Sequence, residues 1–137
     1  MQIQPMTSIH PDVRGGVNDS LVRAIEATYG CAAACHICAD ACLVEDRVKD
    51  LTQCIRLDLD CADVCLTTAG LAARRAGSHE ALIKRMLETC GEACADCAVE
   101  CEKHADVHEH CRICAEECRR CEQACRDAAS TISPSRH

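Results

Sequence analysis

The chain contains no phenylalanine and no tryptophan, and Tyr29 is its single aromatic residue. Leucine, isoleucine and valine together make up only about 18% of the 137 residues, too little for a conventional oily core. Proline occurs only at Pro5, Pro11 and Pro134, so nothing between residues 12 and 133 forbids helix. Basic stripes are absent and the net charge is −7, which argues against nucleic acid and anionic membrane as partners. The longest apolar runs span a few residues, far short of a membrane crossing. The opening MQIQPMTSIHPDVRGG lacks a charged region followed by an apolar one, so no secretory signal is read and a cytoplasmic location is expected.

What the chain has instead is cysteine, sixteen of them, together with 21 alanines. In an exported chain that number would signal a disulfide framework; in a reducing cytosol it points to metal or redox chemistry. Residues 1–17, with two prolines and Gly15–Gly16, read as an N-terminal tail or short leading helix, and 132–137 as a C-terminal tail. Between them, 18–131 reads as four helices. Asn18 caps a first helix that runs to about Val44, and a break at Glu45–Asp46 leads to a second ending near Ala76. Gly77 then acts as a stop and Ser78 as the next cap, with a third helix reaching about Ala105. Asp106 and Glu109 resemble a capping box for a fourth that fades near Ser130. Short connections between four helices predict an all-α, antiparallel up-down-up-down bundle.

Cysteine spacing says which faces point inward. Cys31, Cys35, Cys38 and Cys42 step by 4, 3, 4, as do Cys90, Cys94, Cys97 and Cys101. Cys111, Cys114, Cys118, Cys121 and Cys125 step by 3, 4, 3, 4, and Cys54, Cys61 and Cys65 by 7 and 4. Each set is the a/d seam of a bundle helix, so the predicted core is lined with cysteine. A shift of 59 lays the first set on the Cys90 set, and a shift of 60 lays Cys54, Cys61 and Cys65 on Cys114, Cys121 and Cys125. The chain is thus two αα-hairpins of one plan. In that alignment Asp58 takes the place of Cys118, a carboxylate on a thiol seam.

A single buried cysteine is usually an inert small hydrophobe. Sixteen on facing seams are not, because valine or alanine would pack there without the oxidation hazard. Cysteines three or four apart on a helix are held too far apart for an undistorted disulfide, although bridges between helices remain open. Soft thiolates select Cu(I), zinc or iron–sulfur clusters. Zinc takes closed sets of four and iron–sulfur clusters favour loop spacings, whereas Cu(I) is satisfied by two or three thiolates that can bridge neighbouring ions. Charge favours the same ion: each Cu(I) displaces one proton and leaves the interior near neutral, while Zn(II) on four thiolates leaves two negative charges.

The pairs CAAAC, CADAC, CADVC, CGEAC, CAVEC, CAEEC and CEQAC resemble those of the bacterial copper storage proteins, over roughly residues 18–131. The resemblance implies a non-enzymatic bundle that holds many Cu(I) ions per monomer on inward cysteines. It further implies the cytosolic branch, whose members resemble one another in forming homotetramers. A copper chaperone or low-molecular-weight thiol carrier is the expected delivery partner.

His104 and His110 fall on the inward seams at one end of the bundle and are read, with Asp58, as copper ligands or gate residues. His108 is left open between seam and solvent. His10, His36, His79 and His137 are read as surface residues. Leu21, Ile25, Leu71, Ile83, Met86 and Leu87 close the other end; Met86 is read as packing, with a thioether ligand as the alternative. A zinc or general soft-metal buffer is the first competing function, and a thiol redox protein the second. The second would need one or two exposed thiols of low pKa, against seams that are buried and alike.

Overall fold

In the computed structural model, which describes residues 1–133, a short helix α1 (Ile3–Ser8) precedes α2 (Asp19–Leu43), α3 (Thr52–Ala73), α4 (Glu80–Glu102) and α5 (Glu109–Ser130). Helix α2 packs on α3 and α5, α4 packs on α3 and α5, and α1 lies against α2. The four long helices therefore stand in cyclic order, each antiparallel to its sequence neighbour. His137 and most of the predicted C-terminal tail lie outside the described residues.

The first helix begins where the sequence indicates. Asn18 Oδ1 accepts from the Leu21 amide at 3.1 Å, a cap worth about 1 kcal/mol. Other boundaries move. The second helix stops at Ala73, three residues before the expected Ala76, because Arg74 is extended (φ −84°, ψ 116°). Its neighbour Arg75 turns inward to pair with Glu80 across the turn at 3.2 Å, and Gly77 takes the left-handed φ of 58° that the reversal requires. The cap of α4 is His79, whose Nδ1 accepts from the Leu82 amide at 2.9 Å; Ser78 instead hydrogen-bonds Glu80. Helix α4 ends at Glu102, and α5 is preceded by His108 in the cap position without a side-chain cap bond; Asp106 does not cap it. The His108 ring is engaged elsewhere, on Glu45. Between α2 and α3 a 3-10 turn, Val48–Leu51, tucks Leu51 under the bundle at 1% exposure.

All sixteen cysteines are buried, none more than 1% exposed. Alanines beside the seams (Ala32, Ala62, Ala98, Ala115 and Ala128 among them) let the helices approach closely, so thiols rather than large aliphatics fill the interior. Toward the α2 start, Leu21, Ile25, Ile83 and Leu87 close the tube and Ile132 joins them, while Met86 and Leu71 are only half-buried. Among the described residues, no helix is long and apolar enough to cross a membrane.

Candidate metal centre

The seams of α2, α3, α4 and α5 converge on a continuous column of sulfur. Cys31, Cys35 and Cys118, from α2 and α5, form a triangle with edges of 3.9, 3.7 and 3.7 Å. Cys61, Cys65 and Cys94, from α3 and α4, form another with edges of 3.9, 3.7 and 3.8 Å. The centroid of such a triangle lies about 2.2 Å from each sulfur, close to the length of a metal–thiolate bond. The two triangles are joined by Cys31–Cys61 at 3.9 Å. Toward the closed end, Cys65 meets Cys90 at 3.6 Å and Cys121 meets Cys125 at 4.0 Å. In the other direction Cys35 reaches Cys97 (4.0 Å) and Cys114 (3.8 Å), Cys38 reaches Cys111 (3.9 Å) and Cys54 reaches Cys101 (3.6 Å).

Four-cysteine groups recur along this column, and they overlap. Cys31, Cys35 and Cys118 each belong to more than one such group, while Cys38 and Cys54 share one with Cys42 and Cys111 and a second with Asp58 and Cys101. Sharing of this kind suits ions that accept bridging thiolates. All sixteen are free thiols, which leaves the inter-helix bridges open at the sequence level unformed here. At Cys42 burial is the largest influence, followed by negative charge on Cys54, and the thiol is pushed up to about 11.

Asp58 sits inside the column with no solvent exposure. Its Oδ1 accepts from Cys97 at 3.1 Å, Cys114 at 3.4 Å and Cys101 at 3.5 Å, and its Oδ2 from Cys54 at 3.9 Å. Burial, then negative charge on Cys114 and Cys54, raises the carboxyl to about 8, so at neutral pH it is largely the neutral acid. A group of Cys38, Cys54, Asp58 and Cys101 has the spacing of a mixed metal site.

At the mouth, His110 turns Nδ1 to Cys38 (3.5 Å) and Cys111 (3.6 Å) and Nε2 to Glu45 Oε2 (2.8 Å). Hydrogen bonding to His110 is also the main reason the Glu45 carboxyl lies below its ordinary range. Since that carboxylate can only accept, Nε2 carries the proton and the Nδ1 lone pair faces the thiols. His108 stacks on His110 at 5.4 Å and pairs through Nδ1 with the same Glu45 oxygen at 3.1 Å. His104 is placed differently: its Nε2 meets Glu100 at 3.0 Å, and it lines a cavity of about 250 Å³ with Leu51, Val107 and His108. His36 and His79 are exposed and His10 is half-buried. Sequence reasoning missed Glu45 and Glu100. The second could have been found from its i,i+4 spacing to His104; the first is brought in by the turn after α2 and has no local signature.

The sequence model of the copper storage protein family matches residues 17–130, the whole of the cysteine-lined bundle. The chain belongs to the copper storage protein family. Among solved structures of that family, the copper storage protein Ccsp of Streptomyces lividans, loaded with 10 copper equivalents, is 46% identical. The match covers 95% of this chain and 99% of that one, with a TM-score of 0.91. A cytosolic copper storage protein from the same organism, with five coppers, is 49% identical over 84% of this chain and 96% of that one, TM-score 0.82. The Cu(I)-bound copper storage protein BsCsp3 of Bacillus subtilis is 37% identical over 77% and 94%, TM-score 0.70. The family is one of storage, not catalysis, and the sulfur column is its store in this chain.

Proposed function

We propose that this chain stores copper as Cu(I), many ions per monomer, on the thiolates of Cys31, Cys35, Cys38, Cys42, Cys54, Cys61, Cys65, Cys90, Cys94, Cys97, Cys101, Cys111, Cys114, Cys118, Cys121 and Cys125. The observation that carries the reading is the pair of cysteine triangles, whose edges of 3.7–3.9 Å seat a three-coordinate ion without moving a helix. Each arriving Cu(I) replaces a thiol proton, so the buried column stays near neutral as it fills.

His110 and Asp58 serve the exchange. The Nδ1 lone pair of His110, beside Cys38 and Cys111, accepts a thiol proton or ligates the incoming ion. Asp58 offers oxygen to Cys97, Cys101 and Cys114 and takes part in the first clusters. His104, in the cavity at the mouth, acts as a gate residue. Ions enter at the histidine end because the other is closed by aliphatic side chains. Delivery is by a copper chaperone or a low-molecular-weight thiol carrier. The cytoplasm is the expected location, supported by the cytosolic Streptomyces relative and by sixteen free thiols. A homotetramer is the expected assembly, with Ile37, Leu59, Leu66 and Ile113 as exposed aliphatic contact material.

Titration of the reduced, copper-free protein with Cu(I) tests the reading. On the order of 16–20 ions should bind per monomer, with about one proton released for each until the thiol protons are exhausted. A plateau near four equivalents, with copper held no more tightly than zinc, would refute it.

A further inference from the structure

All sixteen cysteines are at most 1% exposed, so no open route leads to the column, and Cu(I) reaches it only when part of the wall moves. At the mouth that wall is Leu51. It lies three residues before Cys54 and continues the α3 seam, 51, 54, 58, 61 and 65, in steps of 3, 4, 3 and 4, which gives it the outermost inward position. The repeat places Cys111 at the equivalent point of α5, where α3 has leucine instead. On its outer side Leu51 borders the cavity of about 250 Å³ that it shares with His104, Val107 and His108. The next residue inward along its seam is Cys54, which meets Cys101 at 3.6 Å and Asp58 at 3.9 Å.

The segment that carries Leu51 is lightly tied. Val48–Leu51 is a single 3-10 turn, a form whose hydrogen bonds are poorer than those of an α-helix. Leu51 is also the cap residue of α3, and no side chain caps that helix. Among the described residues, the segment's one polar side-chain contact is Asp50 with Arg47 at 2.7 Å, an ion pair more than half exposed on both sides that holds little. The turn is kept in place chiefly by the burial of Leu51, helped by half-buried Val48.

We infer that Leu51 is the stopper of the copper store. The 3-10 turn swings outward, the leucine leaves the seam, and an ion held in the histidine-lined cavity passes to Cys54 and Cys101. The inference rests on the storage reading and adds to it the part that moves. While shut, an apolar stopper also keeps hydrated ions and bulk water from the thiols.

The test labels the reduced, copper-free, full-length protein with iodoacetamide and reads each cysteine by peptide mass spectrometry. In wild type, Cys54 and Cys101 should react faster than Cys90 and Cys125, at a rate that low urea leaves unchanged, because a local opening exposes little surface. Leu51→Ala should speed labelling of Cys54 and Cys101 at least tenfold and leave Cys90 and Cys125 as they were. Leu51→Ile, which restores the volume, should return the first pair to wild-type rates. Stopped-flow Cu(I) loading of Leu51→Ala should be at least threefold faster, with capacity unchanged. A rise shared equally by all sixteen cysteines, no rise at Cys54 and Cys101, or loading no faster than in wild type would each overturn the inference. Should Leu51→Ala not fold, wild type decides: labelling of Cys54 that climbs with urea in step with Cys90 overturns it as well. The labelling contains no copper, so its outcome is distinct from a Cu(I) plateau near four equivalents, which would refute storage.

Discussion

Replacing Asp58 by asparagine should change how the stability of the copper-free protein depends on pH. The carboxyl is fully buried among Cys54, Cys97, Cys101 and Cys114, and it titrates near 8 in the fold against about 3.9 in an unfolded chain. A folded-state pKa above the unfolded one favours the fold where the group is protonated in both states. That advantage is complete below about pH 4 and is lost as pH rises to 8. The slope is about 1.4 kcal/mol per pH unit, so between pH 5 and 8 wild type should lose on the order of 4 kcal/mol from this one group. Taking the difference between wild type and variant removes the titration of groups that the two proteins share. Glu45 is shifted downward, so its contribution is present above the ordinary glutamate range and fades only in acid. The Cys42 thiol, raised to about 11, costs nothing until pH approaches its ordinary value near 8.5–9. Asparagine keeps an oxygen for the thiols and cannot ionise. Urea unfolding of reduced, copper-free wild type and Asp58→Asn at pH 5, 6.5 and 8 is the assay, and the difference between the two should swing toward the variant by several kcal/mol across the series. Parallel stability profiles would refute the argument, because they would mean the carboxyl reaches water or ionises normally inside the column.

Further outcomes follow from other parts of the bundle. His110→Ala should slow Cu(I) loading in stopped-flow experiments while changing total capacity by about one ion, since the sixteen thiolates remain; a large loss of capacity would put the entrance elsewhere. Glu45→Gln should slow loading in the same direction but less, because glutamine can still meet His110 yet no longer fixes which nitrogen carries its proton; an unchanged rate would deny Glu45 a positioning role. Leu87→Ala, at a side chain with no exposure in the closed end, should cost about 2–5 kcal/mol in urea unfolding of the copper-free protein; a cost below 1 kcal/mol would mean that this end is loosely packed.

Much of the bundle was legible in the sequence because cysteine marks the inward face as plainly as leucine does elsewhere. Seams stepping by three and four fixed the helical period, and the offset of 59 to 60 residues fixed the pairing of hairpins. Asn18 stood out as a cap because its short amide reaches back to its own backbone, a purely local act. The missed features depend on distant partners. His79 caps α4 although imidazole is not a favoured cap, and α3 ends early where Arg75 finds Glu80. Likewise Glu45 becomes part of the mouth only when its turn is laid beside the start of α5. Asp58 was visible as an odd residue on a seam, but of its four thiol neighbours only Cys54, one turn earlier on the same helix, could be read from spacing; the other three come from two other helices.

A tube closed at one end by Leu21, Ile25, Ile83 and Leu87 would have a kinetic consequence, because it would behave as a stack rather than a pool. With the proposed entrance at the histidine end, copper bound beside Cys90 and Cys125 would leave only past copper bound nearer His110, and the last ions loaded would be the first withdrawn. Copper supplied in one growth phase would then sit beneath copper supplied in the next. A cell drawing on such a store would exhaust recent deposits before old ones, and two copper isotopes given in succession would come out in reverse order.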